Sequence, residues 1–226
     1  MQRTSANQSV SRTSDPEPRW PVVVALLAVG ALYWAMPPLM SLGPRWMPLV
    51  ILAVLIVPSL ITHRLGHVRV NIWLGYLLSG VVTLLLVWSL ALLVRTVFAH
   101  GESPGELLTS GALLWMTNVL VFATWYWRLD AGGPHARDRR VGHPTGAFLF
   151  PQMVTPEVTH RPDRAKAEPW SPMFVDYLFL AFNTSTAFSP TDVPALSRWA
   201  KVLMMIQSLI SMTTLLILVG RVVNII

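Results

Sequence analysis

A chain of 226 residues that is 53% hydrophobic and only 12% charged, with 10 Trp, holds more apolar surface than a water-soluble core of that length needs, and reads as a polytopic membrane protein. It has no cysteine, which excludes disulfides, thiolate metal sites and cysteine nucleophiles. The formal charge of +6, from 17 basic and 11 acidic residues, lies outside the apolar runs and suits loops facing anionic headgroups better than a nucleic-acid surface.

Residues 1–19 are rich in Ser, Thr, Gln, Asp and Pro with little to bury, and read as a disordered tail. The next segment, 20–127, reads as four membrane spans. Val22 to Met36 is continuously apolar, with Trp20, Tyr33 and Trp34 near its ends. Its bulky sequel Tyr33-Trp34-Ala35-Met36-Pro37-Pro38 lacks a small-x-small cleavage pattern, so a retained span is expected. A second run, Trp46 to Ile61, contains Pro48 and Pro58 and should bend. His63 and His67 in the basic link that follows have the i, i+4 spacing of metal ligands, but no carboxylate accompanies them and a juxtamembrane turn explains both.

The third run, Ile72 to Phe98, exceeds the ~20 residues needed to cross, with Arg95 placed to snorkel at its end. The fourth, Leu107 to Trp127, carries Thr117 and Asn118 at mid-depth. Asn118 has two readings, an interhelical hydrogen bond or the lining of a water-filled path, and the bond carries the greater weight. Residues 128–171 form a polar loop with an apolar island, Phe148 to Met153, too short to span and expected to dock on the bundle or lie in the interface. His135, His143 and His160 lack metal spacing and read as solvated. No nucleotide-binding, hydrolase or zinc-protease motif appears, so neither an enzyme nor a bound cofactor or metal is expected.

Residues 172–226 read as a hairpin. Ser171-Pro172 offers an N-cap and first helical residue, and Asp176 suits the positive end of a helix dipole. The apolar Tyr177 to Phe182 runs into Asn183-Thr184-Ser185-Thr186. A helix over 172–186 is about 22 Å long, short of the ~30 Å hydrocarbon core, so its polar end stops inside the membrane. Carbonyls and hydroxyls gathered there suit a cation. Ser189-Pro190-Thr191-Asp192-Val193-Pro194 reverses the chain, with Asp192 as N-cap of a last apolar helix. The candidate ion path is Thr184, Ser185, Thr186, Ser189, Thr191 and Asp192, with Asp176 and Asn118 as relay or cap.

This hairpin resembles the pore module of the potassium-channel superfamily, in which a pore helix, a Thr-Thr-x-Gly-Tyr-Gly-Asp filter and a Pro precede the inner helix. Aligned on the aspartate, the chain matches at Thr186, Asp192 and Pro194. Ser189 and Thr191 stand where both filter glycines would be and Pro190 where the tyrosine would be, which removes the backbone freedom that a potassium-selective filter needs. Residues 171–226 also resemble the C-terminal part of bacterial membrane proteins of the domain of unknown function 1345 type, with an aspartate-led aromatic helix, a Phe-Ser-x-x-Asp turn and a basic residue opening the last span. That resemblance implies the bacterial inner membrane.

Charge predicts the topology. With the N-terminus in the cytoplasm, Arg45 and Arg95 lie outside, while Arg64, Arg69, Arg128, Arg137, Arg139 and Arg140 lie inside. The 128–171 loop is then cytoplasmic. Either the hairpin enters from that side, giving five spans, or residues 172–190 cross completely, giving six, and the count tips slightly to six because Arg221 also falls inside. The fold class is an all-α polytopic bundle of five or six spans with a pore-like C-terminal hairpin. Its partners are the lipid bilayer, further copies of the chain and an inorganic cation, with no nucleic acid. Two functions follow: a channel or transport protein with a degenerate pore motif, or a non-transporting membrane scaffold or assembly protein.

Overall fold

The computed structural model of the chain describes residues 17–38, 43–99, 103–140, 142–143, 146–154, 170–186 and 192–223. It is all-helical, and among the described residues the one extended pairing is an isolated antiparallel bridge between Phe148 and Ala195. The helices are α1 (Trp20–Ala35), α2 (Met47–Arg64), α3 (Val68–Ala99), α4 (Pro104–Leu129), the short α5 (Pro134–Arg137) and α6 (Pro151–Val154), α7 (Phe174–Thr186) and α8 (Arg198–Val223). Among the described residues, four helices are long and apolar enough to cross a membrane, within Met47–Arg64, Val68–Val97, Gly105–Arg137 and Arg198–Gly220, and α1 is a shorter apolar helix.

The helix ends follow local chemistry. At the start of α4, Ser103 and Glu106 form a reciprocal capping box, Glu106 N–H donating to Ser103 Oγ at 3.3 Å with Pro104 in the first turn. The α2 helix continues through Pro58, and Thr62 Oγ1 donates to the Pro58 carbonyl at 2.8 Å. Asp192 does not cap the last helix as expected: it is exposed, α8 begins at Arg198, and Ser197 Oγ accepts from Ala200 N–H at 3.3 Å. α7 likewise starts at Phe174 rather than at residue 172, with Asp176 Oδ2 accepting from Met173 N–H at 2.7 Å.

α4 is the centre of the bundle. Its apolar window is 61% buried, against 17% for α2 and 22% for α8, and it packs against α1, α3, α7 and α8. The outer faces of the other helices expose Val24, Val54, Trp73, Leu84, Leu209 and Leu216, as lipid-facing helices do. Close approaches occur at glycine. A Cβ on Gly111 of α4 would fall 2.4 Å from Leu218 Cδ2 of α8.

The segment after α4 is folded onto the bundle. Phe148 and Phe150 of the apolar island are buried, with Phe148 edge-on to Tyr126, Tyr177 and Trp199. Docking was one of the two outcomes expected for this island. The solvated reading is corrected at His143, which is buried, and at His135, which is half-buried, and Arg137 of the same segment is buried as well. His160 lies outside the described residues. The end of the N-terminal tail is ordered too: Glu17 pairs with Arg137 at 2.8 Å, and Arg19 pairs with Asp138. Apolar walls next to these ions favour such pairing over solvation.

Candidate functional site

Two polar clusters lie inside the helical bundle, and they share α4 and α7. The first brings together three of the residues singled out from sequence, Asn118, Thr184 and Ser185. Gln207 of α8 is fully buried and sits at its hub. Its Nε2 donates to the Ala181 carbonyl at 2.7 Å and to Ser185 Oγ at 2.8 Å, and its Oε1 accepts from Tyr126 OH. Asn118 Nδ2 donates to the Gln207 carbonyl at 3.2 Å and reaches Ser185 Oγ at 3.5 Å, the outer limit of a hydrogen bond. Asn118 thus makes the interhelical contacts expected of it. Its Oδ1 is buried with no donor among the described residues.

Three bonds, the first of them already named, fix the relation of α7 to α8. The Ala181 carbonyl meets Gln207, the Thr184 carbonyl meets Ser208 Oγ at 3.3 Å, and the Ser185 carbonyl meets Ser211 Oγ at 2.6 Å. As α7 advances, its partner on α8 advances with it, so the two helices run parallel. Both also begin at the same end of the bundle. Leu149 N–H donates to the Pro194 carbonyl at 3.0 Å and Leu196 N–H to the Ala147 carbonyl at 2.7 Å, which holds the approach to α8 beside the Phe148 island. That island packs on Tyr177 in the first turn of α7, ring centroids 6.5 Å apart. Residues 192–197, which lead into α8, therefore lie at the level from which α7 set out. Thirteen residues make α7 about 20 Å long, too short to cross a ~30 Å core.

Of the candidate path residues, Thr184 and Ser185 are buried in this network, Thr184 Oγ1 donating to the Leu180 carbonyl at 2.8 Å. Thr186 is exposed at the end of α7, and Asp192 is exposed on the returning strand of chain. Ser189 and Thr191 lie outside the described residues. Asp176 is half-buried and bonded to its own helix start, separate from Asn118. Gln207 is the member that sequence reasoning missed, although it is the one amide side chain between Ala200 and Val219.

The second cluster is centred on Asp130, at the C-terminal end of α4 and fully buried. Its carboxylate accepts from Tyr177 OH at 2.7 Å and from Ala147 N–H, and His143 Nε2 lies 2.8 Å from Oδ2, a contact closer in distance than in hydrogen-bond alignment. Beside it, Arg137 Nη1 donates to the carbonyls of Trp127 at 2.8 Å and Asp130 at 2.9 Å at the end of α4, the Asp130 carbonyl also accepting from Gly133 N–H at 2.8 Å. Arg19, Arg128 and Arg137 hold their guanidinium carbons 5.5, 5.6 and 5.7 Å from the centroid of Trp127. Burial pushes the Arg19 guanidinium below its usual pKa, and Asp138 and Glu17 oppose that.

His63 pairs with His135 rather than with His67, ring centroids 5.7 Å apart, and His135 Nε2 lies 2.9 Å from Asn71 Oδ1. Among the described residues no group of three or more His, Cys, Asp or Glu is placed to hold a metal. No protein-family model, curated protein or solved structure matches the chain.

Proposed function

We propose that the chain is an integral membrane protein whose C-terminal half-helix, return segment and final span form a re-entrant hairpin, and that copies of the chain together line an ion path with it. The parallel course of α7 and α8 from one end of the bundle carries this reading. A complete crossing by residues 172–190 would set α7 and α8 antiparallel and leave the approach to α8 at the opposite end from the Phe148 island. The same-end return favours five spans, counting α1, over six. The basic residues around α4's C-terminal end favour a cytoplasmic location for that end.

In this reading the end of α7, with exposed Thr186 and its terminal carbonyls, offers partial negative charge within the bilayer, and Asp192 stands at the mouth of the return. Thr184 and Ser185 hold the half-helix in place rather than meeting the ion, because their hydroxyls are engaged inside the protomer. The ion path then lies between protomers, and the chain acts without catalysis.

A second reading is favoured by that same closure. The polar groups of α4, α7 and α8 largely satisfy one another, as in a non-transporting scaffold whose polar hairpin is a packing device.

Two experiments separate these readings. Single cysteines in place of Asp192 and Arg139 are exposed positions in a cysteine-free chain, to be labelled with an impermeant thiol reagent on intact cells and after lysis. Labelling of both from one side supports the re-entrant hairpin, and labelling from opposite sides overturns it. Cation flux into proteoliposomes then tests the path: Asp192→Asn should change the rate or the ion preference, and absence of flux from well-folded protein leaves the scaffold reading.

A further inference from the structure

Four helix ends meet at one end of the bundle: the start of α1, the end of α2, the start of α3 and the end of α4. Between them lies a crevice lined by Arg19, His63, Asn71, Tyr76, Arg128 and His135, with apolar walls from α1, α2 and α3 that include Val22, Ile56 and Leu60. Arg128 is its chemical focus. The Nε of Arg128 donates to Ser79 Oγ at 3.1 Å, and its guanidinium lies so close on α3 that a Cβ on Gly75 would sit 1.6 Å from Nη1. Neither Nη1 nor Nη2 has a hydrogen-bond partner among the described residues, and no carboxylate there pairs with Arg128.

The surrounding charge does not balance it. Glu17 and Asp138 are both engaged by Arg19, and Glu17 by Arg137 as well, so three guanidiniums gather on Trp127 against two carboxylates. A half-buried guanidinium with two free donor nitrogens has a strong demand for an anion. The planar fork of arginine matches phosphate oxygens, and the neighbouring imidazoles and phenol add polar groups at the same opening. The walls below are apolar and belong to helices with lipid-facing outer sides. A small anion would use only the upper part of such a site. A phosphate carrying acyl chains would use all of it, its headgroup at the arginine and its chain along the α1–α2 wall.

We infer that this crevice binds the phosphate headgroup of an anionic phospholipid, with Arg128 as its principal contact. The inference rests on the membrane location of the chain and is independent of whether an ion path exists.

The test uses the full chain purified in neutral detergent, with thermal unfolding followed as lipid is added. Phosphatidylglycerol should raise the midpoint, phosphatidylcholine of the same acyl chains should not, and inorganic phosphate should fall well short of phosphatidylglycerol. Arg128→Gln should weaken the apparent affinity for phosphatidylglycerol about tenfold or more, the loss of a charge-assisted contact, whereas Arg69→Gln, at an exposed arginine outside the crevice, should leave it unchanged. Leu60→Trp narrows the apolar wall without touching a charge, so it should also weaken lipid binding, and it decides the matter if Arg128→Gln does not fold. Equal stabilisation by the two lipids, or full retention in both crevice variants, overturns the inference. Inorganic phosphate matching phosphatidylglycerol replaces the lipid with a free anion and overturns it as well.

Discussion

Tyr177 donates its hydroxyl hydrogen to Asp130 Oδ2 at 2.7 Å, and both side chains are fully buried. This bond ties the first turn of α7 to the end of α4, and Asp130 extends the tie through Ala147 N–H to the segment that carries the Phe148 island. The start of the hairpin is therefore fixed by one carboxylate. Because the same island also holds the approach to α8, both arms of the hairpin are referenced to α4 at this end.

Removing either partner should loosen that anchor unequally. Tyr177→Phe deletes one donor and leaves Asp130 with Ala147 N–H and His143, so it should cost about 1–2 kcal/mol. Asp130→Asn keeps the shape but turns an amide donor toward groups that themselves donate, and should cost more than Tyr177→Phe. Thermal unfolding in detergent checks the order. A milder effect from Asp130→Asn would mean that the carboxylate is not the hub.

The interior network makes a sharper claim about pairs. Gln207 Nε2 meets Ser185 Oγ at 2.8 Å, whereas Asn118 Nδ2 reaches the same oxygen only at 3.5 Å. A double-mutant cycle with Ser185→Ala should give about 1 kcal/mol of coupling to Gln207→Leu and close to none to Asn118→Leu, within the range known for hydrogen bonds between membrane helices. Equal couplings would show that distance in this cluster does not rank the bonds.

How much of this was legible in the sequence depends on spacing. The long helices and their approximate limits follow from apolar runs alone, and the capping chemistry at Ser103 and Glu106 explains why α4 starts before the apolar run does. The interhelical role of Asn118 was readable because a lone amide at mid-depth needs a partner. Gln207 carried the same signal in the last helix and was overlooked. The Asp130 cluster was not readable, since Tyr177 and His143 stand 47 and 13 positions away and nothing local marks them as partners. Arg137 and Glu17 look like solvated charges for the same reason, and only the packing of residues 17–19 and of α5 against Trp127 of α4 makes them an ion pair.

That ion pair should behave as a buried one. Arg137→Ala would remove the nearest cation from Glu17, leaving it Arg19 at 3.7 Å and the Trp127 indole N–H, and would take one donor from the Trp127 and Asp130 carbonyls, a loss of about 2–3 kcal/mol. Adding Glu17→Gln should recover part of it, since the under-compensated charge is then gone. Unfolding midpoints of the single and double variants check this, and a double variant as unstable as the sum of the singles would place the pair at a solvated surface.

At Gly111 the α4–α8 contact is set by steric approach, away from the hydrogen bonds around Gln207. A methyl group at position 111 would meet Leu218 Cδ2 at 2.4 Å and Cγ at 2.8 Å, so Gly111→Ala should cost about 1–3 kcal/mol through overpacking. The clash is with the end of one flexible side chain, since the three atoms nearest that methyl all belong to Leu218. Leu218→Ala alone should destabilise by removing apolar contact, yet in the Gly111→Ala background it should cost little, because the new methyl fills space that the leucine occupied. The double variant should therefore be more stable than the two single effects added together. Strict additivity would mean that α8 moves away as a body when the methyl is introduced, and Gln207 bonding should then weaken with it.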